Sequence, residues 1–122
     1  MIAELVRIYR LEAAHRLARL PATHKCSRMH GHGYSVEVRV RGPVGADTGW
    51  VMDYADIDRA AEPIVASLDH RTLNDVEGLS NPTSEHLARW IFDRLRPALP
   101  ALVEVAVNET PAARCVYRGE ER

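Results

Sequence analysis

Between Tyr34 and Val40 the chain alternates without interruption. Tyr34, Val36, Val38 and Val40 share one parity, and Ser35, Glu37 and Arg39 the other. A period of two fits a strand with one buried face, as in an antiparallel sheet, and fits no helix. His30-Gly31-His32 precedes this run, with both histidines on the apolar parity. In an extended segment residues i and i+2 project from the same face, so the two imidazoles point together toward the side to be buried. Imidazoles in an apolar setting need partners, and one metal ion serves both. The alternative for any single histidine is a hydrogen bond within the core.

The flanking segments build a sheet and two helices around that strand. Ile2 to His15 reads as a first strand, and its imperfect alternation at Leu5, Val6, Ile8, Tyr9 and Leu11 predicts burial on both faces or a bulge. Residues 17–28 read as a loop, and 42–49 as a turn cluster leading into a short strand, Trp50-Val51-Met52. Asp53 is placed to cap a helix running to Leu68. Ile57, Ala60, Ala61, Ile64 and Leu68 form its apolar face, and Pro63 predicts a kink or irregular turn. After a loop over 69–82, Thr83 or Ser84 caps a second helix ending near Arg96-Pro97, with Leu87, Trp90, Ile91 and Leu95 inward. Val103, Val105 and Val107 predict a strand on one parity, and residues 114–118 a last short one. The order ββααββ implies one α+β domain over residues 1–122, a four-stranded antiparallel sheet with two helices packed on one face. The other sheet face is left bare, and in a chain this small another subunit is the expected cover.

Composition narrows the function classes. Lys plus Arg number 16 against 17 Asp plus Glu, a net charge of −1 with no basic stripe, which argues against a nucleic-acid partner. No apolar run is long enough to cross a membrane and Met1-Ile2-Ala3-Glu4 does not resemble a signal peptide, so a cytoplasmic protein is expected. Two cysteines, Cys26 and Cys115, are too few for a disulfide scaffold and read as free thiols.

Several residues are then available for chemistry. His15 ends the first strand and is the natural third metal ligand if that strand pairs with the next; three imidazoles with an open position suit catalytic zinc. Cys26 lies just ahead of the metal strand between Lys25 and Arg28, and cationic neighbours stabilise a thiolate able to take a proton. It could equally be an inert loop cysteine. Cys115 reads as packing, and His24 and His86 as loop and helix-turn residues. Asp69 and His70 are adjacent, so the carboxylate can orient the imidazole. Glu109 continues the parity of Val103, Val105 and Val107, where a carboxylate needs a partner such as the paired N–H donors of an aminopyrimidinone ring. A frayed strand end is the alternative.

Taken together, Glu12-Ala13-Ala14-His15, Cys26-x-x-x-His30-Gly31-His32, Leu68-Asp69-His70, Asn81-Pro82-Thr83-Ser84-Glu85 and Glu109-Thr110 resemble the 6-pyruvoyltetrahydropterin synthase superfamily over nearly the whole chain. The cysteine spacing is similar to that of the bacterial carboxy-forming branch, which feeds 7-deazaguanine and queuosine synthesis. In the pyruvoyl-forming branch of animals the cysteine stands farther upstream, and a folate-linked branch has a glutamate instead. Leu11 stands where an aromatic is common, and Met29 where Leu is common. The resemblance implies a tunnelling fold (T-fold) in which trimeric barrels stack into a homohexamer, with sites at subunit interfaces. It implies that His15, His30 and His32 bind Zn2+, that Cys26 is the general base, and that Asp69 and His70 relay a proton across an interface. Glu109 and Thr110 would hold the pterin. The implied reaction is conversion of 7,8-dihydroneopterin triphosphate to 6-carboxy-5,6,7,8-tetrahydropterin, acetaldehyde and triphosphate. Two other readings share the fold: the pyruvoyl product, and a non-catalytic zinc- or pterin-binding protein.

Overall fold

The computed structural model describes residues 1–120. Strand β1 (Ile2–His15) runs antiparallel to β2 (His30–Pro43). Helices α1 (Tyr54–Leu68) and α2 (Ser84–Leu95) follow, separated by a two-residue strand β3 (Arg71–Thr72) and a 3-10 turn over Leu73–Asp75. Strands β4 (Leu102–Thr110) and β5 (Ala113–Tyr117) close the chain. The sheet order is β3-β1-β2-β4-β5.

The α+β class stands, but the expected four-stranded antiparallel sheet has five strands and is mixed. β3 pairs parallel to β1 through Ala13↔Arg71 and Ala14↔Thr72. Two residues carry no periodicity, so nothing in the sequence marks them as a strand; tertiary contact with the end of β1 creates the pairing. The expected strand at Trp50-Val51-Met52 is absent, and those residues form a bend with Trp50 48% exposed. α1 continues through Pro63 without an irregular turn. Pro63 lies on the exposed side, so the helix loses one backbone bond while Ile57, Ala61 and Leu68 remain packed in the core.

Both helices cover one sheet face. Leu11, Ala13 and His15 of β1 meet Tyr34, His32 and His30 of β2 across the register, and Val36, Val38, Val40, Val105 and Val107 continue that buried face. Val103 does not. Arg39 pairs with Glu104 and Val40 with Leu102, so Val103 is the extra residue of a bulge. Leu102 takes the inward position, and Val103 faces a groove with Glu4, Arg39 and Arg118 on the opposite side. That opposite face carries the pairs Arg39–Glu4, Arg118–Glu104 and Arg114–Glu37, with Ile8 57% exposed beside them. No helix among the described residues is long and apolar enough to cross a membrane.

Capping fixes where the helices begin. The Asp53 carboxylate accepts from the Ala55 N–H at 2.9 Å, and the Thr83 hydroxyl from the His86 N–H at 3.2 Å. Thr83→Ala is expected to destabilise the protein by about 1 kcal/mol, read as a lower midpoint with unchanged slope in urea denaturation.

Candidate active site

Antiparallel pairing sets His15 directly opposite His30, and Ala13 opposite His32. Because Ala13 has only a methyl group, the three imidazoles converge above it. Their ring centroids lie 4.6, 4.8 and 5.0 Å apart, and one ring nitrogen from each falls within 4.8 Å of the others. The backbone orients two of the rings. The Pro82 carbonyl lies 2.7 Å from Nδ1 of His15, and the Arg28 carbonyl 2.7 Å from Nδ1 of His30. A carbonyl only accepts, so each Nδ1 carries the proton and each Nε2 the lone pair. Nε2 of His15 and of His32 are buried and have no hydrogen-bond partner among the described residues.

This donor set fits a metal ion such as zinc. Buried unpaired polar atoms are costly, and three convergent imidazoles are a donor set that can hold zinc. His15 is almost wholly buried, and burial pushes its pKa below the ordinary histidine value, favouring the neutral form a metal requires. Tyr34 packs edge-on against His15 and His32 beneath the cluster; burial pushes its hydroxyl pKa well above the usual tyrosine value.

The histidines form one wall of a cavity of about 440 Å³ that Cys26, Lys25, Leu17, Glu109 and Thr110 complete. Glu109 Oε1 lies 3.7 Å from Nε2 of His15 and 4.0 Å from Nε2 of His32. The cavity is large enough for a small ring system, and it presents imidazoles, a thiol and a carboxylate to its contents.

A profile of the family described as 6-pyruvoyl tetrahydropterin synthase matches residues 4–120. The chain belongs to the 6-pyruvoyl tetrahydropterin synthase family. Among its relatives is the 6-carboxy-5,6,7,8-tetrahydropterin synthase of a Synechocystis species, 40% identical over 115 residues that span 89% of this chain and 88% of that protein. The 6-pyruvoyl tetrahydrobiopterin synthase of Drosophila melanogaster is 38% identical over 135 residues, 97% of this chain and 80% of the fly protein. In three dimensions the protein is similar to 6-pyruvoyl tetrahydropterin synthase of Caenorhabditis elegans, with a TM-score of 0.91, 31% identity and coverage of 98% and 97% of the two chains.

Within this family member, Asp69 and His70 do not line the cavity that holds Cys26. They sit where α1 ends, tied to β1. The Asp69 carboxylate accepts from the Glu12 N–H at 2.8 Å, and the His70 N–H donates to the Glu12 carbonyl at 2.6 Å. The Glu12 N–H, and after it His70, hold the Asp69 carboxyl below its usual range. His70 Nδ1 lies 3.0 Å from Asp69 Oδ1, and His70 adopts a left-handed φ of 59°, uncommon for a non-glycine residue. Its ring is 78% exposed and opens onto a second groove, lined by Glu12, Gly31, His32, Gly33 and Arg71, which adjoins the Cys26 cavity at His32.

Of the other histidines, His86 points Nδ1 at the Asn81 carbonyl outside the site. His24 proves to be more than a loop residue. It caps the 3-10 turn Lys25–Ser27 that carries Cys26. The signal in the sequence is an imidazole two residues before the cysteine, which has meaning only once the turn is known. Cys115 is half-buried against the core, and burial raises its thiol pKa, in keeping with packing.

Proposed function

We propose that the protein catalyses the zinc-dependent conversion of 7,8-dihydroneopterin triphosphate, with uptake of water, to 6-carboxy-5,6,7,8-tetrahydropterin, acetaldehyde and triphosphate, a step of 7-deazaguanine and queuosine biosynthesis. The observation that carries this reading is the single cavity shared by the three histidines, Cys26 and Glu109. The Synechocystis relative's name, which is that of the carboxy-forming enzyme, supports the choice of product.

His15, His30 and His32 would hold the zinc. When bound, zinc supplies Lewis-acid polarisation of the substrate's side-chain oxygens. The Glu109 carboxylate accepts the paired N–H donors of the pterin ring, a charge-assisted and bidentate contact that sets the ring's orientation, with Thr110 beside it. The Cys26 thiolate takes the proton from the side-chain carbon facing it. His70, its imidazole oriented by Asp69, returns a proton. His70 and Cys26 line two cavities that share only His32, and in this proposal the dyad acts on the cavity of a neighbouring copy. A homohexamer built as two trimers would supply that neighbour and cover the bare sheet face.

The test is direct. Zinc-loaded protein is incubated with 7,8-dihydroneopterin triphosphate, and products are identified by mass spectrometry. The expected products are 6-carboxytetrahydropterin and acetaldehyde. Accumulation of 6-pyruvoyltetrahydropterin would move the protein to the pyruvoyl-forming reaction, the activity in the name of its Drosophila relative. Bound zinc with no turnover would leave a non-catalytic zinc- or pterin-binding protein.

A further inference from the structure

The polar backbone atoms of Cys26 are both held by specific partners. Its carbonyl accepts from the Leu17 N–H at 2.8 Å, where the chain leaves β1. Its N–H donates to Nδ1 of the His24 imidazole at 3.0 Å. His24 is itself anchored. Its N–H donates to the Pro21 carbonyl at 2.8 Å, and its carbonyl accepts from the Ser27 N–H at 3.0 Å and the Ser27 hydroxyl at 2.8 Å. The turn that carries the thiol is only three residues long, Lys25–Ser27, and buries none of them fully. With no residue of the turn fully buried, these hydrogen bonds hold the Cys26 backbone from which the sulfur projects.

We propose that His24 is a positioning residue for Cys26: the lone pair on its Nδ1 fixes the Cys26 peptide and so aims the thiol into the cavity shared with His15, His30, His32 and Glu109. The inference rests on the reading of Cys26 as the base. An imidazole is an unusual helix cap; Ser, Thr, Asp and Asn fill that role far more often. The atom that matters is an acceptor two bonds beyond Cβ. Asparagine offers one at the same reach through Oδ1, alanine offers none, and glutamine carries its carbonyl oxygen one methylene farther out. A displaced catalytic group slows the chemical step, and a shift of about 1 Å can cost up to about a hundredfold. Substrate affinity, set by the zinc site and Glu109, is not expected to change.

The experiment compares His24→Ala, His24→Gln and His24→Asn with the parent protein, all zinc-loaded. His24→Ala and His24→Gln are expected to lower kcat about tenfold with KM within about twofold, and with zinc content and far-ultraviolet circular dichroism unchanged. His24→Asn is expected to restore kcat to within about threefold of the parent. Hydrogen–deuterium exchange, read by mass spectrometry on the peptide containing Cys26, should show one amide exchanging faster in the alanine variant and recovering protection in the asparagine variant. An asparagine variant as slow as the alanine one, or an alanine variant with parental kcat, would overturn the proposal. If the parent protein turns over no substrate, the reading of Cys26 as a base fails. The exchange data then judge the His24 contact by themselves, and equal exchange in all variants removes it.

Discussion

Cys26→Ala is expected to reduce product formation by about a thousandfold, within the range that a general base contributes. The variant should retain its zinc and its fold. The thiol lines the cavity with the three histidines, but its sulfur makes no hydrogen bond among the described residues, and His15 and His30 are oriented by other groups. Removing one half-buried sulfur from a loop should cost little stability. Product assayed by mass spectrometry, with zinc measured on the same sample, separates the two quantities. Lost turnover with retained zinc assigns the proton abstraction to the thiol. Turnover within about tenfold of the parent would show that another group is the base, since loss of a true base costs at least about a hundredfold.

The second large effect is a recovery. Cys26→Ala and His70→Ala chains are each expected to be nearly inactive. Unfolded together in equal amounts and refolded with zinc, they should regain about a quarter of parental activity if each cavity draws its thiol from one chain and its imidazole from a neighbour. Half the thiol sides and half the imidazole sides are then intact, assorted at random around a closed symmetric assembly. The His70 ring is exposed and faces the groove of Gly31 and Gly33, while Cys26 faces the cavity of His15, His30 and Glu109, and the two adjoin at His32. The helix-free sheet face, with Ile8 exposed among paired charges, offers a surface for the neighbouring chain. Refolded mixtures that stay inactive would show that no cavity is shared in this way. Full activity of His70→Ala alone would remove the imidazole from the reaction.

The periodicities of the chain account for much of this structure. Alternation at 34–40 defined β2, and the apolar spacings of 57–68 and 87–95 defined the buried faces of the two helices. Asp53 and Thr83 marked where those helices begin. A period-two rule also put His30 and His32 on one face. These features are local, so a one-dimensional pattern suffices to read them.

Other features depend on partners distant in the chain. The convergence of His15 on His30 required the pairing register of β1 with β2, and the methyl side chain of Ala13 beneath His32. β3 exists only because two residues after α1 fall beside Ala13 and Ala14. The bulge at Val103 broke a parity that looked continuous, since one extra residue reverses every side chain before it. His24 read as an ordinary loop residue until the turn around Cys26 brought its ring to the Cys26 N–H. The sequence by itself thus determined the elements, their inward faces and the residue types able to hold zinc and move protons. Register, bulge and loop closure determined which of those residues meet, because each depends on hydrogen bonds between segments whose separation along the chain leaves no periodic trace.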